Sequence, residues 1–154
     1  MRWRVVRRGD REGAVRFATS TEIEAAIDRV WAVQTDVERW PEWTASVRAA
    51  RRLEPGPLTL GSTARLEQPR LRPALWRVTE IDPPRFFAWE SDSPGVHTRG
   101  EHRLVPLPDG RVRAYLVVVQ TGPLAPLTGL LGGRLIRRYL RLEADGLRAR
   151  CERG

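Results

Sequence analysis

The sequence predicts an α+β fold: an antiparallel sheet of seven strands, two short helices and one long C-terminal helix. Three observations point to it. Segments of alternating apolar and polar residues fill most of the chain up to residue 121 and are typical of strands. Short clusters of Pro, Gly and Asp separate these segments, which suits hairpins and leaves no room for the crossovers of parallel strands. After residue 124 the apolar residues recur with the period of a helix.

Composition indicates one domain with a single core. The chain has 154 residues, of which 41% are hydrophobic, and a chain of that size buries enough surface to fold without a metal or a disulfide. We interpret residues 1–13 as a basic arm, loosely attached or forming an extra edge strand, and residues 14–154 as the domain. All 27 basic residues are arginine, which we attribute to codon bias, so the net charge of +8 does not predict a nucleic-acid partner.

Cysteine usage and hydropathy indicate the cellular compartment in which the protein is expected. The single cysteine, Cys151, excludes an internal disulfide and fits a reducing cytoplasm. The apolar runs are far shorter than the ~20 residues of a transmembrane helix, and no signal peptide is visible. We therefore expect a cytoplasmic protein without a membrane-spanning segment, either a monomer or a homodimer.

The first elements combine one strand and two short helices. Alternation predicts a strand over 14–22. Apolar spacing predicts a helix with Asp28 as its N-cap, ending near residue 35. Asp36 caps a second helix, on which Trp40 and Trp43 share one side. Helices this short need a surface to pack against.

Two turns predict the register of two hairpins. With a loop from Asp82 to Arg85, Ile81 pairs with Phe86, and four apolar residues share one face: Trp76, Val78, Phe87 and Trp89.

The second hairpin has its turn at Asp109 and Gly110. A loop of those two residues pairs Leu107 with Val112. His102 and five neighbours then share a face, namely Gly100, Leu104, Tyr115, Val117 and Val119.

The C-terminal segment, from about 124 to 152, predicts a long amphipathic helix whose apolar arc spans roughly 220°. The arc includes Leu127, Leu131 and Leu135. Arginines occupy the other side: Arg134, Arg137, Arg141 and Arg148. Small or polar residues lie at the centre of the arc: Gly132, Tyr139, Glu143 and Gly146. Because leucine is expected at those central positions, the pattern predicts a gap between the helix and the sheet.

Three motifs of the chain are characteristic: AIDRVW at 26–31 followed by Asp36 and WPEW at 40–43, WRVTEIDPPR at 76–85 followed by Trp89, and GPL at 122–124. Together with the order of elements, they resemble the START/polyketide-cyclase (SRPBCC) superfamily, in its polyketide cyclase/dehydrase-like branch. The resemblance covers about residues 15–152. It implies the helix-grip fold, in which a curved seven-stranded sheet wraps the last helix and encloses a cavity for apolar ligands. It does not identify an activity, because similar sequences include cyclases, dehydrases and lipid carriers.

The first functional hypothesis is binding of a hydrophobic or aromatic small molecule, without a cofactor, in that cavity. Aromatic walls with few polar groups suit a planar, apolar ligand, although simple core packing would use the same side chains. The expected ligand-binding residues are Trp43, Trp76, Val78, Phe87, Trp89, Leu104, Val117, Leu135 and Tyr139.

The alternative hypothesis is a polyketide cyclase/aromatase or dehydrase that needs no cofactor. An apolar pocket raises the pKa of a glutamate and lowers that of a histidine, which favours proton transfer near neutrality. Glu143 and His102 would then be base and acid, while Tyr115 or Tyr139 would hydrogen-bond an enolate oxygen.

Two further possibilities receive less support from the pattern. A metal site is not expected, because His97 and His102 are five residues apart on a strand and so point to opposite faces. The third functional option is an interaction module that docks an acidic partner through the arginine face of the last helix.

Overall fold

The computed structural model describes residues 13–153 and confirms the predicted fold class. The strands are β1 (Val15–Ile23), β2 (Ala49–Arg52), β3 (Thr63–Glu67), β4 (Ala74–Asp82), β5 (Phe86–Ser93), β6 (Val96–Pro106) and β7 (Val112–Thr121). The helices are α1 (Ile27–Thr35), a 3-10 helix (Val37–Glu42) and α2 (Ala125–Glu152). Except for Gly13, the arm predicted at 1–13 lies outside the described residues, and that interpretation stays a prediction.

All seven strands form one antiparallel sheet in the order β1-β7-β6-β5-β4-β3-β2. Consecutive strands from β2 to β7 are neighbours, as short turns require, and β1 closes the edge beside β7. Helix α2 packs on β1, β7 and α1, while the 3-10 helix packs beside β2. One face of the sheet is therefore covered by helices. We call it the concave face, and the opposite one the convex face.

The short helices differ in detail from the prediction. Helix α1 has Ala26 at its N-cap, and Asp28 lies in the first turn, where its charge still complements the helix dipole. The second helix is 3-10 rather than α. Its Trp40 is fully buried, and the indole N–H donates to the Gln34 carbonyl at 2.9 Å.

The hairpin between β4 and β5 is one residue tighter than predicted. Asp82 pairs with Phe86 and Ile81 with Phe87, so the loop has three residues and contains a cis Pro83-Pro84 bond. The predicted pairing of Ile81 with Phe86 is wrong.

A β-bulge at Thr79 restores the predicted register further along β4. Val78 pairs with Trp89, and Arg77 pairs with Glu90. A bulge adds one residue to one strand, so it cancels the one-residue error at the turn. The prediction that apolar residues of β4 and β5 share a face is thus confirmed, and their side chains lie in one buried cluster.

The hairpin between β6 and β7 also has a three-residue loop, and here no bulge corrects the register. The Leu107 amide donates to the Arg111 carbonyl, and Pro106 pairs with Val112. Gly110 ends the loop at φ 87°, a conformation that favours glycine. The predicted pair of Leu107 and Val112 is therefore wrong by one residue.

This slip moves Tyr115 and Val117 to the convex face. Tyr115 pairs with Arg103, and Val117 pairs with Glu101. Because side chains alternate along a strand, an error of one residue exchanges the two faces. The prediction that Tyr115 and Val117 face the helix is wrong. The residues that lie beside His102 and Leu104 on the concave face are Leu116 and Ala114.

The buried stripe of α2 is narrower than predicted. It consists of small residues and leucines: Ala125, Gly133, Leu140, Ala144, Leu147 and Cys151. Leu127 and Leu131, which were expected in the apolar arc, are exposed. Small residues allow the helix to lie close to the sheet: a Cβ on Gly133 would be 3.3 Å from the Phe17 ring. No helix within residues 13–153 is both long and apolar enough to cross a bilayer.

Candidate functional site

One flank of α2 contacts β6, the loop between β3 and β4, and the residue that follows the 3-10 helix. Glu143 Oε1 lies 3.2 Å from His102 Nε2. The Tyr139 hydroxyl donates to the carbonyl of Pro69, in the loop between β3 and β4. Gly146 lies against the backbone of Trp43, so that a Cβ there would overlap the Trp43 carbonyl. This flank is the side of α2 on which the sequence predicted a gap.

Aromatic rings surround the imidazole of His102. It stacks on Phe87 with centroids 4.2 Å apart and planes at 8°, and it lies 5.7 Å from Trp40 and 5.8 Å from Trp89. His102 is buried, and the Glu143 side chain is almost so. A polar pair in an apolar surrounding is costly unless its atoms are hydrogen-bonded.

Three nitrogen atoms in this region are buried and have no hydrogen-bond partner within the described part of the chain. They are Nδ1 of His102 and the indole Nε1 atoms of Trp43 and Trp76. An unpaired buried polar group costs about 1–3 kcal/mol, so native structures rarely contain several. The cluster is therefore suited to a guest that supplies polar atoms.

The predicted ligand-binding residues divide into two groups. Four are buried on the concave face: Val78, Phe87, Trp89 and Leu104. Four are half-buried around its rim: Trp43, Trp76, Leu135 and Tyr139. Leu104 lies in a cluster with Leu147 and Cys151, against which Trp31 and Trp43 also pack. Together with His102 and Glu143, these residues remain predictions as site residues, while Tyr115 and Val117 are on the other face.

Two residues of the cluster, Trp40 and Gly100, are absent from the predicted site. Trp40 contacts Trp43, Trp89 and His102 and so occupies the middle of the cluster. A Cβ on Gly100 would lie 3.0 Å from the Trp89 indole nitrogen, so the missing side chain makes room for that ring. A glycine within a strand is the signal that could have indicated such a close approach.

Two side-chain contacts close the space predicted beneath Tyr139 and Glu143 at these two residues. Two surface clefts, of about 390 and 500 Å³, are formed by described residues, and neither lies between the sheet and that flank of α2. Trp43 is the one predicted site residue that lines either of them. The expectation of an open gap is wrong for this form, because Glu143 reaches His102 and Tyr139 reaches Pro69.

Polar chemistry on the convex face is separate from this cluster. His97 Nδ1 lies 2.5 Å from Asp92 and Nε2 lies 2.7 Å from Glu90, and these hydrogen bonds raise the pKa of His97. Arg99 pairs with Glu101 at 3.0 Å. His97 and His102 occupy opposite faces, as predicted from their spacing.

Two classes of chemistry find no site in the described residues. No group of three His, Cys, Asp or Glu side chains in 13–153 could hold a metal ion. The buried thiol of Cys151 has a pKa of about 11, raised by desolvation, so it is a weak nucleophile at neutral pH.

Three solved structures share the fold at low sequence identity. An aromatase/cyclase named Zhui from a Streptomyces strain has a TM-score of 0.74 at 20% identity, covering 91% of this chain and 94% of that one. A hypothetical protein from Helicobacter pylori has 0.78 at 14%, covering 99% of both chains. A START superfamily protein from Mycobacterium smegmatis has 0.73 at 16%, covering 89% and 97%. These likenesses show the helix-grip fold.

Comparison by sequence gives a narrower assignment than the fold alone. No curated protein matches the chain. A sequence model of one family, described as polyketide cyclase / dehydrase and lipid transport, matches residues 14–152. That match covers every strand and helix of the described structure, from the start of β1 to the end of α2. The chain therefore belongs to the polyketide cyclase / dehydrase and lipid transport family.

Proposed function

We propose that the protein binds an apolar or aromatic small molecule between the concave face of the sheet and the flank of α2. One observation carries the proposal: the buried pair of His102 and Glu143 lies in an aromatic cluster that also contains unpartnered indole N–H groups. Rings give a planar guest large contact areas, and a few polar groups orient it. The guest would be an aromatic or fused-ring compound with carbonyl or hydroxyl oxygens.

Binding requires the site to open, and one hydrogen bond holds its two sides together. The hydrogen bond from Tyr139 to the Pro69 carbonyl joins α2 to the loop between β3 and β4. On the N-terminal side of Tyr139, α2 contains Gly129, Gly132 and Gly133. Glycines weaken a helix by about 1 kcal/mol each relative to alanine. We therefore place the entrance between this part of α2 and that loop.

The test is a titration of the full chain with naphthol and with anthrone, followed by tryptophan fluorescence and calorimetry. We expect the tryptophan fluorescence to be quenched in a saturable way, by a ligand that binds to one site per chain. Tyr139→Phe removes the hydrogen bond, which is worth about 1 kcal/mol, and should accelerate association ~5-fold. Tyr115→Phe is the matched control, since Tyr115 is on the convex face, and should leave the rate unchanged. Absence of saturable binding, or equal rates in both variants, would contradict the proposal.

The second candidate function is cyclisation or dehydration of a polyketide, and the 3.2 Å contact of His102 with Glu143 favours it. A carboxylate in that position could remove a proton from carbon α to a carbonyl. The imidazolium could protonate the departing hydroxyl, which leaves as water. Product analysis with a synthetic linear polyketide thioester tests it. Turnover should be lost in His102→Ala and Glu143→Gln and retained in Glu101→Gln, on the convex face, whereas binding without turnover excludes this candidate.

A further inference from the structure

The first turns of α2 expose leucines to an unusual degree. The exposed fractions are 52% for Leu127, 82% for Leu130 and 77% for Leu131, and Leu124 just before the helix is 44% exposed. Single exposed leucines are common, but several on adjoining turns form an apolar patch, and such patches mark interaction sites. We call these four residues the leucine patch.

Arginines continue the same stripe along the helix. At ~100° per residue, three exposed arginines fall within the arc spanned by the leucines of α2: Arg134, Arg138 and Arg141. No ion pair within 13–153 involves these three arginines. The chain has no acidic residue between Asp109 and Glu143. The surface is thus apolar at one end and positively charged next to it.

Two neighbouring segments have the same composition. A Cβ on Gly13 would lie 3.7 Å from Pro126, so the first twelve residues join the described part of the chain beside the start of α2. Their sequence, MRWRVVRRGDRE, contains five arginines and one tryptophan. The loop that accepts the Tyr139 hydrogen bond carries Leu71 between Arg70 and Arg72. The loop between β3 and β4 therefore adds a second segment of apolar and basic residues to the described surface.

We propose that the leucine patch and the three arginines of the same stripe dock on an anionic lipid surface. A bilayer with acidic headgroups offers apolar chains for the leucines and negative charge for the arginines, which is the pairing that interfacial amphipathic helices use. A second copy fits less well, because a two-fold contact would face the arginines with each other. The chain's own first twelve residues carry charge of the same sign as the helix, so they are also disfavoured as the cover. This inference goes beyond the proposed ligand site and does not depend on it.

The test is cosedimentation of the full chain with vesicles of phosphatidylcholine, with and without phosphatidylglycerol. We expect binding to the anionic vesicles that weakens as salt rises, since screening reduces the attraction. Arg134→Gln with Arg138→Gln should lower the partition coefficient about 25-fold, at about 1 kcal/mol per charge. Leu130→Ser with Leu131→Ser should lower it at least ~10-fold. Folding of each variant is verified by its thermal unfolding curve.

The matched control is Leu53→Ser with Leu60→Ser, which removes leucines that are 54% and 67% exposed elsewhere on the surface. It should bind vesicles like the parent chain. The proposal is overturned if the parent does not sediment with anionic vesicles, if neutral vesicles bind it equally, or if the patch variants bind like the control. Equal retention of the parent and the leucine variant by heparin, with no vesicle binding, would instead identify a general polyanion surface. Dissociation of a dimer by the leucine variant alone, again without vesicle binding, would identify a contact between copies.

Discussion

Two glycines of α2 differ in the space available to a side chain, although both lie within the helix. A Cβ on Gly146 would overlap the Trp43 carbonyl, whereas a Cβ on Gly132 would meet nothing within 4 Å. The first glycine is needed for close packing between α2 and the 3-10 helix. The second carries the ordinary entropic penalty of glycine in a helix.

Gly146→Ala and Gly132→Ala should therefore change stability in opposite directions. We expect the free energy of unfolding to fall by about 1–3 kcal/mol in Gly146→Ala, since the helix must move away from Trp43. It should rise by about 0.5–1 kcal/mol in Gly132→Ala. Urea denaturation of both variants measures the difference. Equal effects would show that α2 is not pressed against the 3-10 helix as described.

At the same scale, His97 makes stability depend on pH. Hydrogen bonds to Asp92 and then to Glu90 raise the pKa of His97 above the usual 6.5, while burial partly lowers it. Arg99 also pairs with Glu90, at 3.6 Å. A pKa that is higher in the folded state means that protonated His97 stabilises the fold. This stabilisation is complete below pH ~6.5 and is lost as pH rises through the folded pKa.

His97→Gln should thus reduce stability in mildly acidic solution and have a smaller effect in alkaline solution. The measurement is the free energy of unfolding of parent and variant across that pH range. Because the imidazole is partly exposed, added salt should reduce the difference. A difference in the free energy of unfolding between parent and variant that does not change with pH would contradict the assignment of this stabilisation to protonated His97.

At the scale of elements, the C-terminus of α2 depends on an arginine from α1. Arg29 donates to the carbonyls of Cys151 at 2.8 Å, Arg153 at 2.7 Å and Arg150 at 3.2 Å. The last carbonyls of a helix lack partners within it, and a cation there also complements the helix dipole. One side chain therefore satisfies several of them and attaches α1 to α2.

Arg29→Met should lower the free energy of unfolding by about 1–2 kcal/mol, since it removes these charge-assisted hydrogen bonds. Arg39→Met is the control, because the one ion pair of Arg39 within the described residues is with the exposed Asp36 three residues away, and it should change stability by less than about 0.5 kcal/mol. Urea unfolding of the two variants gives the comparison. A similar loss in both would mean that Arg29 contributes as a general surface charge.

The hairpins show what sequence can and cannot predict about an element. Alternation located β4 to β7, because it depends on which residues are apolar. The loop lengths were wrong by one residue in both hairpins, since turn-forming residues indicate where a loop lies but do not fix its length. In the hairpin between β4 and β5, the bulge at Thr79 compensated for the wrong loop length. In the hairpin between β6 and β7 no bulge compensated for the error. Tyr115 was therefore predicted on the concave face, where Leu116 lies.

At the scale of the whole molecule, the helix-grip fold followed from the order of elements, and most of the concave face was predicted with it. The closure of the site was not. It depends on contacts between residues far apart in the chain, such as His102 with Glu143 and Tyr139 with Pro69. Side-chain periodicity tells which residues lie on a face, but it carries no information about which of them meet across it.

The central claim is that an aromatic guest binds beside His102 on the concave face. The most direct measurement uses the two histidines of the chain, one on each face of the sheet. Proton–nitrogen correlation spectra of their imidazole rings are recorded while naphthol or anthrone is added. The account predicts a saturable shift of the His102 resonances with no change in those of His97. Unchanged His102 resonances, or equal shifts of both rings, would contradict it.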